Sequence, residues 1–264
     1  KGLPIPNAPL PIVAITTTAG TGSETDSAGV ITKEDTYEKA FIGASSLYPC
    51  IAIVDPELML SVPAGFTAFQ GFDALFHSIE GYIANGANLM SDMYALTAIE
   101  NLAKYLPRAV KDGGDLEART HVAFANTLSG VVMCLTLITS EHGMEHALSA
   151  YHPNLPHGAG LIMISRAYFS YFVRNHACDE RFIRMAQVMG MPEADKPEDF
   201  ITALTRLQEA CSVADLKMSD YGIAFDECKK FMHNAREVMG VMFTSDRVQM
   251  SDADIVRIYE ESWS

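Results

Sequence analysis

Apolar positions along the chain change their period near residue 63. Before it they fall in short runs at residues 12–15, 29–32, 39–42 and 50–54. Short apolar runs bounded by turn residues read as strands. A proline-rich lead-in over residues 1–11 precedes them, TTTAGTGSETD follows the first as a loop, and Asp55-Pro56 ends the last. Beyond residue 63 the spacing becomes helical. Phe72, Leu75, Phe76 and Ile79 predict an amphipathic helix over 67–83. Residues 89–110 predict a long helix, broken by Asp112-Gly113-Gly114. Residues 116–139 are largely apolar with small side chains and read as a central helix. Shorter helices are predicted over 141–149, 159–173, 179–189, 197–210, 225–238 and 251–261, with Leu155-Pro156-His157-Gly158 as an interruption. Ser251 with Asp254 three residues on resembles a capping box. The expected fold is mainly α: a multihelical body over 63–264 preceded by a β-containing segment over 1–62. No internal repeat or low-complexity tract is visible.

Composition narrows the function classes. The 264 residues suffice for a substantial core in one or two domains, and 48% are apolar. The net charge of −14 repels phosphate backbones and anionic headgroups, which argues against nucleic-acid and membrane partners. No run of 18 apolar residues is found, so no membrane span is expected, and no signal peptide is seen. The five cysteines include no CxxC pair and are read as packed, reduced thiols, which suits a cytoplasmic setting. The chain opens at Lys1 and is expected to start inside a longer product.

Candidate chemistry concentrates in three segments. Asp73 and His77 lie four residues apart in GFDALFHSIEGY, one turn apart on one helix face. Alone, such a pair is also an ordinary surface pair. His142 and His146 repeat the spacing in EHGMEHALSA, where Glu141 and Glu145 make a solvated face the plainer reading. His157 stands between Pro156 and Gly158 at a stiff helix entry. One carboxylate and three imidazoles form a donor set suited to Zn²⁺ or Fe²⁺ rather than Mg²⁺ or Ca²⁺. His121, His152, His176 and His233 read as structural. TTAGTGSE offers glycines and hydroxyls that form an anion nest or a plain turn, but it is neither a P-loop nor a GxGxxG fingerprint. No GxSxG elbow supports a serine hydrolase.

Together, TTAGTGSE (residues 17–24), DPELMLSVP (55–63), GFDALFHSIEGY (71–82) and HGMEH…LPHG (142–158) resemble the iron-containing (group III) alcohol dehydrogenase family in order and approximate spacing. The resemblance covers nearly the whole chain. It implies a dehydroquinate synthase-like helical metal-binding domain over 63–264. Residues 1–62 would then be the remnant of an α/β dinucleotide-binding domain. It implies Asp73, His77, His142 and His157 as metal ligands and His146 as an additional active-site histidine. Thr17 and Thr21, with Thr18 between them, match the cofactor-contacting threonines, and Lys39 matches a basic residue on the cofactor's adenosine side. The His142–His157 interval is slightly longer than the family's usual one, which leaves His142 and His146 both available as ligand. The GGGS pyrophosphate loop and its strands, on the order of 100 residues, are not found.

The resemblance implies Fe²⁺ or Zn²⁺ and NAD or NADP as cofactors. The reaction expected is hydride transfer between the dinucleotide and a small alcohol or aldehyde. Homo-oligomer formation is compatible with it. Two alternatives stand beside this reading: a catalytically silent metal-binding helical fragment or interaction module, and a metallohydrolase.

Overall fold

The computed structural model describes residues 7–263. The proline-rich lead-in falls partly outside the described residues. Two small sheets come first. Strands β1 (Val13–Thr16) and β4 (Ile51–Val54) pair in parallel, and β2 (Ala28–Lys33) and β3 (Glu38–Gly43) form an antiparallel hairpin. Val13, Ile15, Ile51 and Ile53 remain exposed on the first sheet, and all six residues of β2 are exposed. Nine α-helices follow among the described residues: α1 (Ala64–Ile83), α2 (Leu89–Lys111), α3 (Leu116–Thr136), α4 (Glu141–Tyr151), α5 (His157–Arg174), α6 (Asp179–Val188), α7 (Glu198–Ala210), α8 (Cys228–Met239) and α9 (Asp252–Ser262). The mainly helical expectation therefore holds, with boundaries within a few residues. Ser251 and Asp254 form the capping box at α9, each side chain bonded to the other residue's backbone N–H.

Three expectations about burial change. α1, expected to be amphipathic, is buried nearly all round from Thr67 to Ile83 and packs on α2, α3 and α5. Its polar side chains Asp73, His77 and Glu80 interrupt the apolar pattern because they face other interior groups, not water. α3 is not the central helix, since Phe124 and Leu135 on its outer face are exposed. The small residues of α3 instead allow close approach. Gly130 meets Gly22, where a Cβ on Gly22 would come within 2.6 Å of the Gly130 Cα. The cysteines are all free, but Cys50 and Cys134 are exposed rather than packed.

Three polar anchors fix the elements that carry the candidate chemistry. Arg119 on α3 is buried and donates to Gly113 O, Val62 O and Thr67 Oγ1, tying α3 to the start of α1. Asn126 on α3 accepts from Gly22 N–H and donates to Glu24, holding the glycine loop. Asp246 sets the entry of α4: its carboxyl oxygens accept from Ser140 N–H at 3.0 Å and from Ser140 Oγ at 2.7 Å, while Tyr168 OH lies 3.3 Å away.

Burial pushes the Asp246 carboxyl up to about 7, with the Ser140 hydrogen bonds opposing the rise. An acid whose folded pKa lies above its unfolded value binds its proton more tightly when folded. Its contribution to stability is complete below the unfolded value and is lost as pH rises through about 7. Asp246→Asn keeps an acceptor for Ser140 and removes the titration. The variant's melting temperature is expected to fall less than that of the parent between pH 5 and 8, in thermal unfolding followed by circular dichroism.

Candidate metal centre

The centre is built from α1, α4 and α5. Asp73 and His77 lie one turn apart on α1, His142 and His146 one turn apart on α4, and His157 opens α5 after Pro156. Helices α1 and α5 cross closely at Gly158, where an added Cβ would fall 2.1 Å from Phe69 O. That contact delivers His157 to the Asp73 face of α1.

Asp73 Oδ1 is the focus. His142 Nε2 lies 3.2 Å from it, and His77 Nδ1 and His157 Nε2 each lie 3.6 Å from it. The His77 and His142 rings stack with centroids 4.2 Å apart. The structure thus brings the four expected ligands together, and it is His142 rather than His146 that reaches Asp73. His146 sits one turn farther along, its ring 5.4 Å from that of His157, with Nδ1 buried and without a hydrogen-bond partner. The glycine loop passes over the centre, and His77 Nδ1 lies 3.3 Å from Gly20 O. Thr17, Thr18 and Thr21 in that loop are exposed. Lys39 reaches α4 from β3, donating to Ser149 Oγ at 2.7 Å with its ammonium 3.7 Å from Glu145 Oε2. Its charge therefore stands at the histidine cluster.

Sequence reasoning missed the carboxylates behind the histidines. Glu80 accepts from His142 Nδ1, and Glu145 accepts from His157 Nδ1. Glu80, Glu141 and Glu145 are fully buried, which overturns the solvated-face reading of EHGMEH. The available signal was spacing: Glu80 follows His77 by three residues, and Glu145 lies between His142 and His146 on the same helix.

The electrostatics follow from crowding charges in a dry interior. Burial alone would raise the Asp73 carboxyl, but His77 and the imidazoles of His142 and His157 hold it well below the usual carboxylate range. Burial pushes His77 down to about 3 against the pull of Asp73. For His142, burial opposes charge, but Glu80 and Asp73 carry it up to about 10. Burial, reinforced by His157, drives His146 well below its ordinary value, so its imidazole is neutral. Burial and then Glu80 raise Glu141 well above the carboxylate range, and neither of its oxygens has a hydrogen-bond partner.

The donor set fits a divalent transition metal. With Nδ1–H given to a carboxylate, a neutral His142 or His157 points the lone pair of Nε2 toward the anionic Asp73 oxygen. Lone pairs and an anionic oxygen converging on one point repel unless a proton or a cation lies among them. Imidazoles oriented by carboxylates on their far nitrogens are the usual support of a metal site.

The comparisons with known proteins agree with this geometry. A family model described as "Fe-containing alcohol dehydrogenase family, C-terminal" matches residues 67–263, and one described as "Iron-containing alcohol dehydrogenase" matches residues 1–56. The chain is 34% identical to NAD-dependent methanol dehydrogenase of Bacillus methanolicus over 242 residues, covering 86% of this chain and 60% of that protein. It is 36% identical over 203 residues to 1,3-propanediol dehydrogenase of Klebsiella pneumoniae, covering 75% of this chain and 51% of that protein. Among solved structures, an archaeal halo-thermophilic alcohol dehydrogenase from a Red Sea brine pool superposes with a TM-score of 0.91 at 30% identity. That match covers 96% of this chain and 64% of the other. A 1,3-propanediol oxidoreductase superposes with a TM-score of 0.90 at 30% identity, covering 98% and 68%. The chain thus spans 51–68% of the length of these relatives. No single helix among the described residues is long and apolar enough to cross a membrane. On these grounds the chain belongs to the iron-containing alcohol dehydrogenase family.

Proposed function

We propose that this chain is the metal-binding portion of an NAD(P)-linked oxidoreductase for small alcohols and aldehydes. Residues 63–264 form the catalytic domain, and residues 1–62 are a remnant of the dinucleotide-binding one. The observation that carries the reading is the convergence of His77, His142 and His157 within 3.6 Å of one Asp73 oxygen. Asp73, His77, His142 and His157 would hold Fe²⁺ or Zn²⁺, which supplies Lewis-acid polarisation of a substrate oxygen while the nicotinamide carries the hydride.

The chain's own residues supply orientation and a proton path. Glu80 and Glu145 fix the ring orientations of His142 and His157 by accepting their Nδ1–H groups. His146 adjoins His157 and has an unpartnered Nδ1, which places it to exchange a proton with a substrate oxygen at the centre. Thr17, Thr18 and Thr21 lie in the loop that touches His77 and would meet the dinucleotide where it approaches the metal. The apolar side chains and burial around α1, α4 and α5 keep water from the centre.

Equilibrium dialysis against Zn²⁺ or Fe²⁺ tests the site, with one ion per chain expected in the parent and none retained by His142→Ala. Retention of the ion by that variant at the parent's affinity would remove His142 from the site. Calorimetric titration of NAD⁺ and NADP⁺ tests the redox reading. A second reading, a metal-binding helical module without turnover, is favoured by the exposed apolar strands β1 and β4. Metal binding with no dinucleotide heat would select it.

A further inference from the structure

We infer that Glu145 is a positioning residue for His157, and that Lys39, acting through Glu145, couples docking of the β2–β3 hairpin to metal retention. The inference rests on the metal-site reading above and adds to it a second carboxylate and a distant element of the fold.

Glu145 projects from α4 toward the start of α5 and is fully buried. A neutral imidazole carries a single N–H, and the partner of that N–H decides which nitrogen is free to bind a metal. Glu145 takes the Nδ1–H of His157, which leaves Nε2 directed at Asp73. The fold makes room for this carboxylate: Gly160 faces it, and a Cβ there would fall 2.7 Å from Glu145 Oε1 and 2.8 Å from Cγ. Any larger residue at 160 would displace it.

A buried carboxylate needs a compensating charge. Besides His157, the ion-pair partner of Glu145 is Lys39, whose ammonium is also anchored by Ser149. Glu145, His146 and His157 do converge closely enough to suggest a second cation, and Glu145 Oε1 and His146 Nδ1 are both unpartnered. The Lys39 ammonium 3.7 Å from the same carboxylate opposes one. Glu145 therefore orients the ligand of a single ion.

The coupling arises because the hairpin has few other attachments. β2 is exposed along its whole length. β3 touches the body through Lys39, through Ala40 against the small cluster of Ile138, Met239 and Met242, and through the turn, where Tyr37 stacks on Tyr151 and its carbonyl accepts from Asn234. An ion that fixes His157 fixes Glu145, and Glu145 holds Lys39. By reciprocity, loosening Lys39 weakens the ion by the same factor that losing the ion loosens the hairpin.

The experiment is chelator competition for Zn²⁺ on the full chain, with amide hydrogen exchange of residues 28–43 measured with and without the ion. Glu145→Gln keeps an acceptor but loses the charge, and its Zn²⁺ affinity is expected to fall about tenfold. Glu145→Ala is expected to approach a 100-fold loss, the range found when such outer partners are removed. Lys39→Met, at a partly exposed position, is expected to fold normally and to lose affinity by a smaller factor than Glu145→Gln. Zn²⁺ should slow hairpin exchange in the parent and not in Lys39→Met. Parent-like affinity in both Glu145→Gln and Lys39→Met, or exchange indifferent to the ion, would overturn the inference. Two ions in the parent with one lost in Glu145→Gln would make Glu145 a ligand and overturn it equally. Failure of the parent itself to bind Zn²⁺ would instead refute the metal-site reading on which the inference stands.

Discussion

Asp73→Ala protein is expected to lose its divalent ion almost completely, with affinity reduced by more than about 100-fold, beyond the upper range for removal of an outer partner. Asp73 supplies the one oxygen on which His77, His142 and His157 converge. Without it the three imidazoles keep their mutual repulsion and lose the charge that neutralises a cation. Turnover by any holoenzyme containing this chain should fall with the ion. The helix itself should survive, because alanine favours helix. The discriminating result is thus lost metal in a protein that still unfolds cooperatively, with the melting temperature of the ion-free protein lowered at neutral pH, because the imidazoles that hold the Asp73 carboxyl ionised lose their partner. Parent-like ion affinity in Asp73→Ala would remove Asp73 from the site. Equilibrium dialysis and calorimetric unfolding of the two proteins in chelator separate these outcomes.

The second large effect is predicted for Gly158→Ala, a single methyl group. Its Cβ would stand 2.1 Å from Phe69 O and 2.6 Å from Phe69 C, so what must yield is the backbone of α1 and not a flexible side chain. Overpacking of this kind costs about 1–3 kcal/mol or more. In a domain of this size each kcal/mol lowers the melting temperature by about 2–4 °C. The shift also separates His157 from Asp73, so metal affinity should fall together with stability. A parent-like melting temperature would mean that α1 and α5 cross less tightly than described.

The sequence carried the helices because apolar periodicity and punctuation agree there: Asp112-Gly113-Gly114 ends α2, and Ser251 with Asp254 caps α9. The Asp73–His77 spacing was equally legible, being a property of one helix. The burial of Glu141 and Glu145 was not legible. A glutamate beside a histidine on a helix reads as solvated; the groups that accept Glu145 inside, Lys39 on β3 and His157 on α5, lie on other elements, and Glu141 is buried with neither oxygen partnered. The choice between His142 and His146 was hidden for a related reason. Both lie on one face of α4, and only the placement of α1 decides which turn meets Asp73. α3 was misread as central because its small residues suggest burial on every side, whereas they pack one face against α1, α2 and the glycine loop and leave Phe124 and Leu135 outside.

The parallel pair β1–β4 has a practical consequence. With Val13, Ile15, Ile51 and Ile53 exposed on a sheet only two strands wide among the described residues, this corner is open to pairing with an extended chain. Self-association of the isolated chain is therefore expected to run through that corner, however soundly the helices are packed.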